Sequence, residues 1–145
     1  MTLAGTIRNY LYANWSLTLP ARDLVEFHEG WFNSKAGLDA QVTVSDFASP
    51  QGHMFAGDGI LRVKLYPRFV VNCWYRVARG DLGTLQMELI ESMRREVARI
   101  ITAGWDDVFP SDICIPLDEG RPLHELDATP RILRYEVTLL ASRDI

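Results

Sequence analysis

Leu3, Ile7, Tyr10, Leu11 and Asn14 recur at helical spacing and predict a first helix over residues 3–14 with one apolar face. Leu17-Thr18-Leu19-Pro20 ends it, because proline disfavours the helical conformation in the residue before it. Residues 22–32 are apolar without a clean period, and residues 33–37 read as loop. From Gln41 to Phe47 the pattern alternates. Val42 and Val44 point one way and Thr43 and Ser45 the other, which predicts a strand with one wet face. The glycines and proline of residues 49–59 predict a long loop.

The strongest β signal runs from Ile60 to Arg79. It reads as two runs, Ile60–Leu65 and Phe69–Ala78, interrupted by Tyr66-Pro67-Arg68. Pro67 cannot donate to a ladder and so marks a turn, a bulge or an edge. In the second run Val71, Cys73, Tyr75 and Val77 share one face, and Val70, Asn72, Trp74 and Arg76 share the other. Leu82, Leu85, Leu89, Ile90, Met93, Val97, Ile100 and Ile101 then mark a long amphipathic helix. Asp81 is its expected cap and Gly104 its expected stop. Glu88, Glu91, Arg94, Arg95, Glu96 and Arg99 are expected on its exposed face. Residues 105–130 are acidic and proline-rich and show no deciding period. Residues 131–142 alternate again as a closing strand. Leu133, Tyr135, Val137 and Leu139 lie on its dry face, and Ile132, Arg134, Glu136 and Thr138 on its wet one.

These elements predict a single α+β domain over residues 1–145. Its sheet is small, antiparallel or mixed, with about four strands and two helices packed on one face. A length of 145 residues with 48% hydrophobic content is enough for one core. The net charge of −4 argues against a dedicated nucleic-acid binder. No apolar run is long enough for a membrane span. The first fifteen residues show neither a basic leader nor a cleavage pattern, so a cytoplasmic chain with reduced cysteines at positions 73 and 114 is expected.

Chemistry-bearing motifs are absent from the sequence. There is no phosphate loop, dinucleotide fingerprint or nucleophile elbow. His28, His53 and His124 stand far apart, without the local pairs of zinc sites. Asp106, Asp107 and Asp112 cluster without the pattern of a calcium loop. Cys114 with His124 has the right chemistry for a nucleophile and base, but no local signature. No cofactor, metal or catalytic residue is therefore assigned. What stands out is an aromatic and cationic group on one sheet face. Trp, Tyr and Arg are the common anchors of protein interfaces. Trp74, Arg76 and Arg68 are the interface candidates on the strand, with His53 and Phe55 in the glycine-rich segment.

The strand FVVNCWYRV, the helix LGTLQMELIESMRREVARII and the closing strand RILRYEVTLLA together resemble the phage tail-terminator and tail-completion families. The resemblance covers about half the chain and is one of pattern and order. It implies a structural subunit of a head–tail junction that assembles into a homo-oligomeric ring through protein contacts. It carries no site residues over, and the insertion at 105–130 has no place in it. Three other classes remain open on the residues alone. One is a small-molecule-binding or regulatory α+β domain. Another is an enzyme using His53 or His28 with a carboxylate. The last, which the net charge disfavours, is a nucleic-acid adaptor. On the interface reading, replacing both Trp74 and Arg76 by alanine weakens assembly and leaves the fold intact, as gel filtration and circular dichroism would register.

Overall fold

The computed structural model describes residues 3–33, 35, 37–57, 60–77, 84–108, 113–116, 120–126 and 131–144. A first helix, α1 (Leu3–Asn14), matches the predicted span. A short 3-10 turn at Arg22–Leu24 leads into strand β1 (Val25–Glu29). Two 18-residue strands follow, β2 (Ala40–Gly57) and β3 (Ile60–Val77), then the long helix α2 (Thr84–Val108). Strands β4 (Ile113–Pro116), β5 (Arg121–Pro122) and β6 (Arg131–Asp144) complete the order. The class is α+β, and the sheet is mixed. Its order is β1-β2-β3-β6-β4, with β5 pairing β6 as well. Only the β1–β2 pair is parallel among these. Among the described residues no helix is long and apolar enough to cross a membrane.

The sheet exceeds the expected four strands for identifiable reasons. Residues 25–29, which lack a clean period, form β1 by pairing with Ala40–Val44. The two short strands of the acidic segment, β4 and β5, lie successively along the outer edge of β6. Short segments of this kind become strands because a neighbouring edge offers backbone partners, a signal that local periodicity does not carry.

The predicted loop at 49–59 is instead largely strand. Residues 49–57 continue β2, and the ladder to β3 runs out to Gly57 opposite Ile60; residues 58 and 59 lie outside the described residues. The ladder absorbs its irregular residues at two register shifts, between Asp46 and Ala48 and between Ala48 and Gln51. Pro50 falls within the second shift, where a residue without an N–H breaks no ladder bond. Pro67 sits on β3 beside the same shift. It is a local irregularity inside one strand, and the two runs expected on either side of it are continuous.

One face of the sheet carries both helices. Val42, Val44, Val71, Cys73, Leu133 and Val137 pack there against Ile7 and Leu11 of α1 and Ile90, Met93, Val97, Ile100 and Ile101 of α2. The predicted dry face of β6 is therefore a core face, joined by the Val71, Cys73 and Val77 face of β3. The helix α2 runs past its expected stop at Gly104 to Val108. A lone glycine costs a helix only about 1 kcal/mol relative to alanine, and the packing of α2 along β3, β6 and β4 outweighs it. The expected cap Asp81 lies outside the described residues.

Glu96 does not lie on the exposed face of α2; its side chain is 2% exposed. It is buried because α1 ends over it. The backbone N–H and the hydroxyl of Ser16 donate to its Oε2 at 3.2 and 3.0 Å. Arg99 closes an ion pair with the same carboxylate and donates at 3.0 Å to the carbonyl of Asn14, the last residue of α1. One carboxylate thereby fixes the chain leaving α1 to the middle of α2. Losing it leaves buried donors unpaired, which costs more than the bonds themselves contribute. Replacing Glu96 by alanine is expected to destabilise the chain by about 3 kcal/mol, read as a lowered urea midpoint. Glutamine, which keeps an acceptor for Ser16, is expected to cost less than alanine.

Candidate interaction surface

The second face of the sheet is built by the connection between β1 and β2. Parallel neighbours cannot be joined by a tight turn, so the chain must cross a face of the sheet to return. Gly30, at φ +101°, makes the turn, and its N–H donates to the Val44 carbonyl at 2.8 Å. A side chain at that φ would be strained, which suits glycine. The following residues then lie over the face opposite the helices.

Gln41 holds that crossing segment down. Its Oε1 accepts the Asn33 N–H at 3.0 Å, and its Nε2 donates to the Asn33 carbonyl at 2.8 Å. The amide thus imitates a strand neighbour, and Gln41 is fully buried with both its side-chain polar atoms paired. Trp31 and Phe32 cover Trp74, with ring centroids 5.0 and 5.3 Å from it. The Trp74 indole N–H donates to Thr43 Oγ1 at 2.8 Å. The face expected to be wet at Thr43 is therefore covered.

Arg134 of β6 enters the same cluster. Its guanidinium carbon lies 4.6 Å from the Trp31 ring centroid and 4.8 Å from that of Trp74. Its Nε donates to Asn72 Oδ1 at 2.8 Å, and its Nη2 to Glu136 Oε2 at 2.9 Å. Arg121 takes the other oxygen of Glu136 at 2.8 Å. Arg76 pairs with Asp39 at 3.0 Å, and its backbone N–H donates to the Asp39 carbonyl at 2.9 Å. Arg76 is thus matched by Asp39, while Arg121 and Arg134 share the one carboxylate of Glu136. What this face presents outward is the indole of Trp31, 57% exposed, over an ion-paired layer.

The candidates from the sequence are placed as follows. Trp74 is 2% exposed and lies under Trp31 and Phe32, so it is not a surface anchor. The alternation put it on the correct face, but the same chain covers that face. Arg76 is partly exposed beside it and ion-paired. Arg68 stands on β3 opposite Ala48 of β2 and Leu140 of β6. His53 and Phe55 are on β2, opposite Lys64 and Arg62 of β3, and not in a loop. Trp31 was missed because residues 22–32 show no period. Its only sequence signal is a tryptophan–phenylalanine pair directly after a glycine.

The chemical alternatives meet specific geometry. Cys73 is fully buried, and burial pushes its thiol up to about 12, which makes it inert. Cys114 pairs with Ala141 of β6, whereas His124 Nδ1 accepts the backbone N–H of Arg134. Those two points on β6 are about 23 Å apart along the strand, so no Cys–His couple forms. Glu91 is held below the usual carboxylate range, chiefly by its hydrogen bonds to Arg94. Arg94 in turn packs against Gly120, where a Cβ would approach its Cδ to 2.5 Å. Glu91 and Arg94 lie in the wall between α2 and β6, where Tyr135, its hydroxyl pushed up by burial and by Glu91, also stands.

No protein-family model matches the chain, and no curated protein matches it.

Two outcomes follow from this layer. Trp74→Ala removes a buried ring and its hydrogen bond and is expected to cost about 3–5 kcal/mol in urea unfolding. Trp31→Ala removes one exposed ring, with an expected cost of about 1 kcal/mol. Trp31, not Trp74, is therefore the position at which a surface contact can be tested without unfolding the chain. His124 gives a pH dependence. Burial lowers its pKa from the ordinary 6.5, and the neutral ring is the one that accepts from Arg134. The unfolded chain takes up the proton first, so this stability is present above pH 6.5 and is lost as pH falls through the folded value. The melting temperature is expected to drop between pH 7.5 and 5.5, and to drop less in His124→Asn, whose amide oxygen can accept without titrating.

Proposed function

We propose that the chain is a non-enzymatic assembly subunit that works through protein–protein contacts and forms a homo-oligomer. The kind of particle it suits is the one its sequence resembles, a phage or prophage tail-terminator ring. The observation that carries this reading is the reach of the β2–β3 hairpin. Each strand has 18 residues, about 60 Å of extended chain. The β6 ladder on β3 extends only to Lys64 opposite Asp144. Beyond it, residues 54–57 and 60–63 pair only with each other among the described residues.

A two-stranded ladder on its own is marginal in water. An arm of that kind gains its stability when a neighbour covers it, and a ring subunit needs a projection of this sort to reach the next copy. The expected interface positions His53 and Phe55 lie on this arm or at its base. The Trp31 face adds a second support. Its three arginines are held in ion pairs with Asp39 and Glu136 and so are less available than free Lys and Arg to a phosphate backbone, which makes the face better suited to a protein surface.

The test is solution mass by light scattering across a concentration range, on the full chain and on a shortened arm. The shortened chain replaces residues 54–63 by Asn-Gly, a two-residue turn suited to closing the His53–Lys64 rung. The full chain is expected to form a closed or concentration-dependent oligomer. The shortened chain is expected to keep its circular dichroism and melt cooperatively as a monomer. A full chain that stays monomeric throughout, or a shortened chain that assembles as well as the full one, defeats this reading.

A further inference from the structure

Strand β1 ends the sheet, with β2 on one side and no strand on the other among the described residues. Val25 and Phe27 point to the helix face, where Phe27 packs against Trp15 and Tyr12. Glu26 and His28 therefore share the opposite face, in register with the buried Gln41 and Thr43. Glu26 Oε2 and His28 Nε2 are both buried, and neither has a hydrogen-bond partner among the described residues. They face each other at 4.0 Å.

That separation is informative. A charge-assisted hydrogen bond between imidazolium and carboxylate closes to about 2.7–2.9 Å and would satisfy both atoms directly. Here they are more than an ångström too far apart for it, yet no other group takes either atom. Buried polar atoms without partners are costly and uncommon in folded chains. A single cation between them satisfies both. Zinc binds imidazole nitrogen and carboxylate oxygen at about 2.0–2.2 Å each, so a tetrahedral ion holds two such atoms about 3.4 Å apart, a closure from 4.0 Å smaller than the one a direct hydrogen bond would need. The side chains are 35% and 28% exposed, which leaves an entry path from solvent.

We propose that Glu26 and His28 seat a divalent transition-metal ion of the zinc class at the open edge of the sheet. The imidazole donor selects zinc, copper or nickel over magnesium and calcium, which prefer oxygen alone. Among the described residues no third His, Cys, Asp or Glu side chain joins the pair. With two protein donors the ion is exchangeable, not a folding staple. The spacing that makes the pair is Glu-x-His on a strand, where alternate residues share a face. Helical and loop zinc motifs use other spacings, so a search for those passes over it.

The experiment is calorimetric titration of the full chain with zinc chloride in metal-free buffer at neutral pH. The expected result is one ion per chain, unaffected by excess magnesium. Glu26→Gln and His28→Gln are each expected to weaken binding by about tenfold or more, and the double variant to abolish it. His53→Gln and His124→Gln are expected to bind as the wild type does. Zinc is also expected to raise the melting temperature of the wild type and not of the double variant. The zinc-free melting temperatures of the variants check that each still folds. Equal zinc affinity in the wild type and the double variant overturns the site, and so does loss of binding in the His53 or His124 variant alone. A wild type that takes up no zinc overturns it too, leaving a simple ion pair.

Discussion

The side-chain amide of Gln41 determines what the second face of the sheet is. It holds the Asn33 backbone by one accepted and one donated hydrogen bond, and it does so with no exposure to solvent. Because the segment is tied there, Trp31 and Phe32 lie on Trp74, and Trp74 can give its indole N–H to Thr43. Arg134 then finds two rings to lie against and two acceptors for its nitrogens. A polar residue at the middle of a strand would otherwise be a liability. Here it carries a backbone's hydrogen bonds across a layer boundary, so that burying the layer leaves the Gln41 and Asn33 groups paired.

The two faces of the sheet are consequently held by different physics. The helix face is a packed apolar core of aliphatic and aromatic residues, and the buried carboxylate of Glu96 ties the end of α1 to α2. The other face is a thin layer in which aromatic rings, amides and matched charges interlock. Thin polar layers tolerate little rearrangement, since each group depends on its neighbours for pairing. That arrangement suits a surface kept in a fixed shape for a partner better than a cleft that opens for a substrate. The outer rungs of the β2–β3 hairpin, among the described residues, pair only with each other.

The long elements could be read directly from residue order. The first helix appears at its expected bounds, and the alternation in residues 69–77 and 131–138 assigns the side chains to their correct faces. The places where the reading went astray share a cause. Residues 49–57 carry glycines and a proline that locally favour a loop, yet a full-length partner strand pulls them into the ladder and confines the misfit to two register shifts. Glu96 looks like one more exposed charge of an amphipathic helix until the end of α1 lands on it.

The sequence by itself determined the α+β class, the core stripe of the long helix and the parity of the central strands, because those follow from apolar spacing at periods of 3.6 and 2. It also placed Trp74 with Arg76 on one face of β3, and Arg134 on the wet face of β6, which the pairing of the two strands makes a single face. Only the tertiary structure decided that this face is covered, that the exposed ring is Trp31 and that Glu26 and His28 confront each other at the sheet's edge. Each of those depends on where a connection without periodicity crosses the sheet, or on which strand is left at its border. Such contacts join residues distant along the chain through backbone geometry, and no local pattern of side chains records them.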